Sequence, residues 1–175
     1  MVLIIEDGSN VAGAEAYADV SAFEAWETAY FGAAVVAAET DKEAAIRRAV
    51  AFMDGLPWRG ERAHGRGQAL AWPRSNVVDD EGRTVASNAI PDAVIFAQHV
   101  LSKAEIESPG VLAPQVDRSA HKVLNKVGEI GWKVMAVPGV AAARPVNLMA
   151  MDALRGLLKH DFAAPDAPTS EVLRA

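Results

Sequence analysis

Residues 58–91, WRGERAHGRGQALAWPRSNVVDDEGRTVASNAIP, are the stretch around which the rest of this chain is organised. Gly, Arg and Asp are frequent in it, so a continuous helix or strand cannot run through it. The apolar island Ala69–Pro73 nevertheless lies at its centre. Structureless loops longer than about 15 residues are uncommon in compact domains unless they have a function. We therefore predict a long connector that aromatic anchors hold down, with helical segments before and after it.

The predicted contact residues of this stretch fall into two sets. The acidic turn Asp79, Asp80 and Glu81 lies between two short apolar segments, as at the tip of a hairpin, and is predicted to be exposed. Its spacing does not match an EF-hand loop, so a solvated turn is favoured over a cation site. The predicted loop anchors are Trp58, Arg59, Leu70, Trp72, Pro73 and Arg74.

Apolar residues at helical spacing predict helices at about 11–30, 41–53, 91–107 and 145–159, the first of them in two parts. The helix at 41–53 is the most regular, because Ile46, Ala49, Val50 and Met53 recur at i, i+3, i+4 and i+7. Thr40 to Glu43 match a capping box at its start. In the first helical region Phe23, Trp26 and Tyr30 share one face, which predicts core packing.

Over residues 118–137 the side-chain pattern changes from helical spacing to a repeat of two residues. This repeat predicts a β-hairpin with its turn at Gly128-Glu129. Residues 161–175 are predicted to form an extended tail. The fold class is therefore mainly α: a small helical bundle with a long anchored loop, one β-hairpin and an extended C-terminal tail. Residues 1–160 form the expected domain.

Composition narrows the functional class. The 175 residues are 51% hydrophobic, enough for one domain with a substantial core. A net charge of -6 is unfavourable for general nucleic-acid binding, which needs a cationic face. The absence of Cys excludes disulfides, thiolate metal sites and Cys nucleophiles. No stretch approaches the roughly 20 apolar residues of a membrane span, so we expect no membrane partner and a protein made in a cytoplasm.

No constellation in the sequence predicts catalysis. The histidines do not form a metal-binding pair at helical spacing, and the glycines near Arg66 lack the Lys and Ser/Thr of a phosphate loop. No Ser lies in a Gly-x-Ser-x-Gly context. We expect no enzyme activity, no catalytic residue, no metal site and no cofactor.

One cluster in the stretch allows an alternative function. Aromatic side chains next to Arg can stack on bases and hold phosphates, which would suit a single-stranded-DNA-binding module. The same Arg side chains could instead stack on Trp inside the fold, pair with acids of a neighbouring subunit, or be solvated. The cluster comprises Arg59, Arg62, Arg66 and Arg74 with Trp58 and Trp72.

The order of these motifs resembles a family of small tailed-phage proteins. The matching features are Trp58–Gly60 after a helix, the string Gln68–Arg74, the turn Asp80–Gly82, and Ile90-Pro91 at the start of a helix. The family comprises head–tail adaptors, also called head completion or connector proteins, which are often labelled DnaT-like single-stranded-DNA-binding proteins. The resemblance covers most of residues 10–160, and Leu70–Arg74 is its most specific part.

The resemblance implies a structural virion protein made in the host cytoplasm and located at the phage neck. Such adaptors form a ring, generally a dodecamer, beneath the portal protein, and they carry stopper or tail proteins. Double-stranded DNA passes through the ring without sequence-specific binding. The loop anchors would then also be subunit contacts. The expected portal-docking residues of the tail are Phe162, Val172, Leu173 and Arg174.

Overall fold

The computed structural model describes residues 2–113, 122–126, 131–134 and 147–159. The helices are α1 (Val20–Phe31), α2 (Glu39–Asp54), α3 (Asp92–Glu107) and α4 (Leu148–Leu154). Two antiparallel sheets of two strands pair β1 (Glu61–Arg62) with β2 (Arg74–Ser75), and β3 (Lys122–Lys126) with β4 (Gly131–Val134). Turns of 3-10 helix cover Gly65–Gly67 and Arg155–Leu157. The prediction of a mainly α fold with a β-hairpin is confirmed.

Helix α2 contributes one face to the core. The predicted stripe of Ile46, Ala49, Val50 and Met53 is buried, and it packs against α3. The same helical period predicts that Lys42, Glu43, Arg47 and Arg48 face outward, and this is wrong for Lys42 and Glu43, which are buried. They tolerate burial as charged groups since each has an ionic partner: Lys42 lies 2.6 Å from Glu24, and Glu43 lies 3.4 Å from Arg47.

The predicted helix at 11–18 is wrong. This segment instead runs alongside the N-terminal arm, with a parallel bridge between Ile5 and Ala16. The backbone explains the difference, because the N–H groups of Glu15 and Ala16 donate to the carbonyl of Ile4 in the arm instead of to a preceding helical turn. The buried carboxylate of Glu6 fixes the turn before this segment by accepting from the backbone N–H groups of Gly8, Asn10 and Val11. The second part of the prediction holds, since Asp19 caps α1 by accepting from the backbone N–H of Ala22.

Two other helix ends differ from the prediction. Helix α2 starts at Glu39 with Ala38 as its N-cap, so the capping box at Thr40–Glu43 does not form. The last helix is shorter than 145–159, and residues 145 and 146 lie outside the described part. Asn147 caps it, and after the 3-10 turn the chain pairs in extended form with the start of the long stretch, where Trp58 forms a bridge with Leu158.

The second sheet confirms the predicted hairpin within its described residues. Lys122 pairs with Val134, and Leu124 pairs with Trp132. A register shift lies between Leu124 and Lys126. The tail residues Phe162, Val172, Leu173 and Arg174 fall outside the described residues. Among the described helices, none is long and apolar enough to cross a bilayer.

One buried amide joins the N-terminal segment to the core. The side chain of Gln98 on α3 is fully buried, accepts from the backbone N–H of Tyr17 at 2.7 Å, and donates to the carbonyl of Ala18 at 2.9 Å. These two bonds satisfy backbone groups that are buried outside any helix or strand. The position of α1 depends on them, because Ala18 directly precedes its N-cap.

Replacement of Gln98 by Leu should therefore destabilise the protein by about 2–4 kcal/mol, since two buried backbone groups would lose their partners. Urea unfolding followed by circular dichroism measures the change. Ser102→Ala is the matched control: Ser102 is equally buried but bonds only the carbonyl of Gln98 in its own helix. Equal losses for the two variants would contradict the assigned role of Gln98.

Candidate functional site

The long stretch between α2 and α3 folds into a small structured module. Strands β1 and β2 pair Glu61 with Ser75 and Arg62 with Arg74, which brings the two sides of the Gly-rich turn together. A second turn pairs Val78 with Thr84. The prediction of an anchored connector is therefore correct in its outline, although residues 61–62 and 74–75 are strands that the sequence did not reveal.

Two tryptophans anchor this module to the helices. Trp58 is 4% exposed and Trp72 is fully buried, and their rings meet edge to face with centroids 5.7 Å apart. The indole N–H of Trp58 donates to the carbonyl of Met53 at the end of α2. Leu70 and Pro73 are buried beside them. Burial of a large aromatic side chain contributes about 2–3 kcal/mol, so these rings hold the module firmly in place.

Arg59 and Arg74 cross-link the backbone of the module. Arg74 donates to the carbonyls of Arg59, Gly60 and Ala71 at 2.7–3.1 Å. Arg59 donates to the carbonyls of Val78 and Leu158. Burial lowers the pKa of Arg74, with repulsion from Arg62 as a smaller cause, but the group remains cationic at neutral pH. Both guanidinium groups therefore serve the fold.

Other buried polar side chains form hydrogen bonds with the backbone inside the module. Gln68 is 2% exposed and donates to the carbonyls of Leu70 and Pro73 while accepting from the backbone N–H of His64. At the junction with α2, Asp54 accepts from the backbone N–H of Ala71 at 2.7 Å. Burial raises the pKa of Asp54, and it also raises that of its neighbour Tyr17. Backbone groups of Leu70, Ala71 and Pro73 in the apolar island thus have side-chain partners within the fold.

The acidic turn is exposed at its tip but is not free of contacts. Asp80 lies 2.8 Å from the guanidinium of Arg59, and Arg83 pairs with both Asp79 and Glu81. Hydrogen bonds from the side chain and backbone of Arg83 lower the pKa of Asp79. The carboxylates therefore already have cationic or backbone partners. Among the described residues no group of His, Asp and Glu could hold a metal ion.

These contacts decide how the Arg and Trp residues of the module can act. Trp58 and Trp72 are buried and cannot stack on bases, and Arg59 and Arg74 bond the fold's own backbone. Arg62 donates to the carbonyl of Gln68. Of the predicted cluster, Arg66 is exposed and forms no side-chain hydrogen bond or ion pair with the described residues. The prediction that the Trp and Arg side chains of this cluster together form a DNA-binding surface is therefore wrong for Trp58, Trp72, Arg59 and Arg74.

A second surface, which the sequence did not predict, lies at the C-terminal end of α1. Trp26 is in ring contact with Tyr30, Phe31 and Phe96, at centroid distances of 5.2–5.9 Å. Tyr30 and Phe31 are 57% and 53% exposed, which corrects the prediction that Tyr30 lies in the core. The reason is that α1 places only its first turns against the core, with Phe23 fully buried. We call Trp26, Tyr30, Phe31 and Phe96 the aromatic cluster.

The connection from α1 to α2 extends this surface. Residues 31–38 read FGAAVVAA, and none of them except Phe31 belongs to a helix or strand. Val36 is fully exposed, although it is one of the most hydrophobic residue types. The carboxylate of Glu27 holds the segment by accepting from the backbone N–H of Val35 at 2.9 Å. The run of eight apolar residues was visible in the sequence and could have marked this surface.

The cation at the aromatic cluster is already paired with carboxylates. Lys103 lies 4.8 Å from the centre of the Phe31 ring, and its ammonium is shared between Glu27 and Glu107. An exposed apolar surface whose neighbouring cation is already paired favours contact with another protein over contact with phosphates.

Beneath the aromatic cluster lies His99, which is 5% exposed and contacts the rings of Phe23 and Trp26. Burial lowers its pKa to about 4, so the imidazole is neutral at physiological pH. Its Nδ1 and the indole N–H of Trp26 have no hydrogen-bond partner among the described residues. A neutral His between aromatic rings acts as a packing residue at neutral pH.

A depression of about 300 Å³ lies between α2 and the end of α3 and is lined by Arg48, Phe52, Glu105 and Leu112, among others. Its acidic group is already engaged. Glu105 accepts from Arg48 and from the backbone N–H groups of Gly110 and Leu112. The lining therefore offers no free acid, base or nucleophile for chemistry.

Comparison with known proteins gives one match. The model of a family described as "Putative DnaT-like ssDNA binding protein" matches residues 1–173. No curated protein and no solved structure matches the chain significantly. The family description names single-stranded DNA and does not mention a virion role.

The backbone of Gly60 lies very close to the backbone of Ser75 in the opposite strand, and substitution of Gly60 therefore tests whether the module is packed as described. Gly60 has φ +64°, and a Cβ there would lie 2.2 Å from the carbonyl oxygen of Ser75. Gly65 has nearly the same φ, +68°, but open space around it. Gly65→Ala should cost about 1 kcal/mol from backbone strain alone. Gly60→Ala should cost at least about twice as much, because β1 and β2 would have to separate.

Thermal unfolding of the two variants measures this difference. A further readout is the near-ultraviolet circular dichroism of the packed Trp58 and Trp72, which should weaken in Gly60→Ala and stay unchanged in Gly65→Ala. Identical behaviour of both variants would show that the strands are not held together as described.

Proposed function

For this chain, which belongs to the DnaT-like single-stranded-DNA-binding protein family, we propose a structural role in a phage virion. The protein would be a head–tail adaptor that forms a ring beneath the portal, extends the DNA channel and docks stopper or tail proteins. The resemblance of Gln68–Arg74 and its neighbouring motifs to such adaptors is the sequence argument. The exposed apolar surface at the end of α1 is the structural observation that carries the proposal.

That surface is suited to binding protein. Tyr30, Phe31 and Val36 are each more than half exposed, and half-buried Trp26 and Phe96 pack against the two rings. Monomeric proteins rarely expose several large apolar side chains within one short segment without a partner. Aromatic residues at the centre of an interface supply most of its binding free energy. A subunit that is permanently assembled would keep this surface covered.

The long module would supply a second, differently shaped surface. Its backbone is fixed by Trp72, Arg59 and Arg74, so its exposed Gly65–Gly67 turn and acidic tip are held in a defined place. Ring formation requires two unlike faces, because one face of each subunit fits a different face of the next. The aromatic cluster and the module are such a pair of unlike surfaces.

Net charge agrees with passage of DNA through the ring. The chain carries a formal charge of -6, and twelve copies would surround the channel with a strongly negative field. Duplex DNA would be repelled from most of the wall and would slide through. This is the behaviour expected of a conduit, and it differs from that of a protein that grips DNA along its whole surface.

The proposal is tested in phage particles that carry the gene for this protein. Purified particles should contain it at the neck, and Phe31→Ser together with Val36→Ser should reduce its incorporation by at least about tenfold, since two exposed apolar contacts would be lost. Quantitative mass spectrometry of particles, with electron microscopy of the neck, measures both. Absence of the protein from wild-type particles would refute the proposal.

Val2→Ser serves as the matched control, because Val2 is 88% exposed and distant in sequence from the aromatic cluster. It should leave incorporation unchanged. The purified variants should unfold at the same temperature as the wild type, since both Phe31 and Val36 are more than half exposed. A loss of incorporation with Val2→Ser as large as with the paired variant would remove the α1 surface as the contact.

The family description favours a second candidate, a single-stranded-DNA-binding module. Under this function the protein would bind single strands through cations and exposed aromatic rings. Trp58 and Trp72 would not be the stacking residues, because both are buried in the described fold.

Titration of a fluorescently labelled single-stranded oligonucleotide at low ionic strength tests this candidate. Binding should weaken steeply as the salt concentration rises. The logarithm of the binding constant should fall with the logarithm of the salt concentration, with a slope of about 0.7 for each phosphate contacted. Trp58→Phe and Trp72→Phe should leave the affinity unchanged, since Phe preserves much of their buried volume. Lack of measurable binding at low salt would exclude the second candidate and leave the adaptor proposal standing.

A further inference from the structure

The hairpin β3–β4 differs in charge from the rest of the chain. Its nine strand residues, KVLNK and GWKV, include Lys122, Lys126 and Lys133 and no carboxylate. The strands therefore carry a formal charge of +3, while the whole chain carries -6. They also include Trp132. Basic residues interleaved with an aromatic residue form the pattern that binds nucleic-acid backbones and bases.

The register places these residues along both sides of a narrow ribbon. Lys122 pairs with Val134, and Val123 pairs with Lys133. Residues paired across an antiparallel ribbon belong to the same face, and the face alternates along each strand. Lys122 and Lys133 therefore occupy register positions on opposite faces, and Trp132, paired with Leu124, belongs to the face of Lys122. Each face of the ribbon therefore includes a lysine position.

Most other cations in the described part of the chain already have partners. Arg59 and Arg74 bond backbone carbonyls in the long module. Several more pair with carboxylates: Lys42 with Glu24, Arg47 with Glu15, Arg48 with Glu105, and Lys103 with Glu107. Among the described residues outside the hairpin, Arg66, Arg155 and Lys159 are exposed and lack an ionic partner. They are separated in sequence and are not accompanied by an exposed aromatic residue.

We propose that the β3–β4 hairpin is the DNA-contacting element of this protein, with Lys122, Lys126 and Lys133 as ligands of backbone phosphates. This inference rests on the proposed function, because the ring of adaptors would bring DNA within reach of the hairpin. The negative remainder of the subunit repels DNA, so contact is confined to this ribbon. Each subunit then makes a few salt-sensitive contacts that do not depend on base sequence.

The dimensions of a two-stranded ribbon agree with this role. The major groove of B-form DNA is about 12 Å wide and admits such a ribbon. Lysine is a compact point charge on a flexible stem, and it binds phosphates without a fixed geometry. A contact of this type allows DNA to move along the protein. Trp132 adds stacking only where the bases are unpaired, so it would distinguish single strands from a duplex.

The experiment is an anisotropy titration of the full-length protein with a labelled single-stranded oligonucleotide and with the corresponding duplex. In the triple variant Lys122→Gln, Lys126→Gln and Lys133→Gln, the plot of log K against log salt concentration should become less steep. Its slope should fall in magnitude by about 2–3 for either substrate, the amount expected for three lost phosphate contacts. Trp132→Ala should lower the affinity for the single strand by about tenfold and leave duplex binding unchanged. Trp132→Tyr should restore the single-strand affinity.

The matched control neutralises three exposed cations elsewhere, Arg66→Gln, Arg155→Gln and Lys159→Gln, with the same change in net charge. It should retain most of the binding and the salt dependence. An equal effect of the two triple variants, or no binding of either DNA by the wild type, would overturn the proposal. Circular dichroism confirms that each variant is folded.

Incorporation into particles separates this inference from the proposed function. The hairpin triple variant should enter the neck as well as the wild type, because the subunit contacts lie elsewhere. Normal incorporation with unchanged DNA binding would refute the hairpin site alone. Absence of the wild-type protein from particles would refute the adaptor role, and the titration would still decide whether the hairpin binds DNA.

Discussion

The guanidinium groups of Arg59 and Arg74 are the constraint on which the long module depends. Between them they satisfy backbone carbonyls of the stretch itself and of the segment after α4. A loop packed on the core buries carbonyls that water cannot reach, and unpaired groups of this kind would each cost about 1–3 kcal/mol. Because the two side chains supply these bonds, Trp72 can be fully buried and the stretch can be ordered without becoming a helix.

This constraint also decides which surfaces remain for partners. Arg and Trp residues that serve the fold cannot also bind DNA, so the module presents its Gly-rich turn and acidic tip to the outside. The exposed apolar surface at the end of α1 is suited to contact with protein. The basic hairpin β3–β4 is the element whose composition suits phosphates. The proposed protein and nucleic-acid contacts therefore lie on different parts of one subunit.

The two candidate functions make different demands on these surfaces. An adaptor needs extensive protein contacts and only weak contact with DNA, whereas a single-strand-binding module needs stacking rings and a continuous cationic path. The described fold offers large apolar contacts, and its cations are mostly paired with carboxylates or carbonyls. The family description names single-stranded DNA, and the β3–β4 hairpin, with Trp132 and the neighbouring lysines, is the site that we propose for DNA.

The sequence by itself determined the class of fold, the buried stripe of α2 and the β3–β4 hairpin, because periodicity is a local property of the chain. It also located the long connector. Only the tertiary structure decided the path of residues 11–18, where the N-terminal arm and Gln98 bond the backbone, and the exposure of Tyr30. The partners of Arg59 and Arg74 were likewise decided in three dimensions. A hydrogen bond or a neighbouring helix that lies tens of residues away in the chain leaves no periodic signal in the sequence.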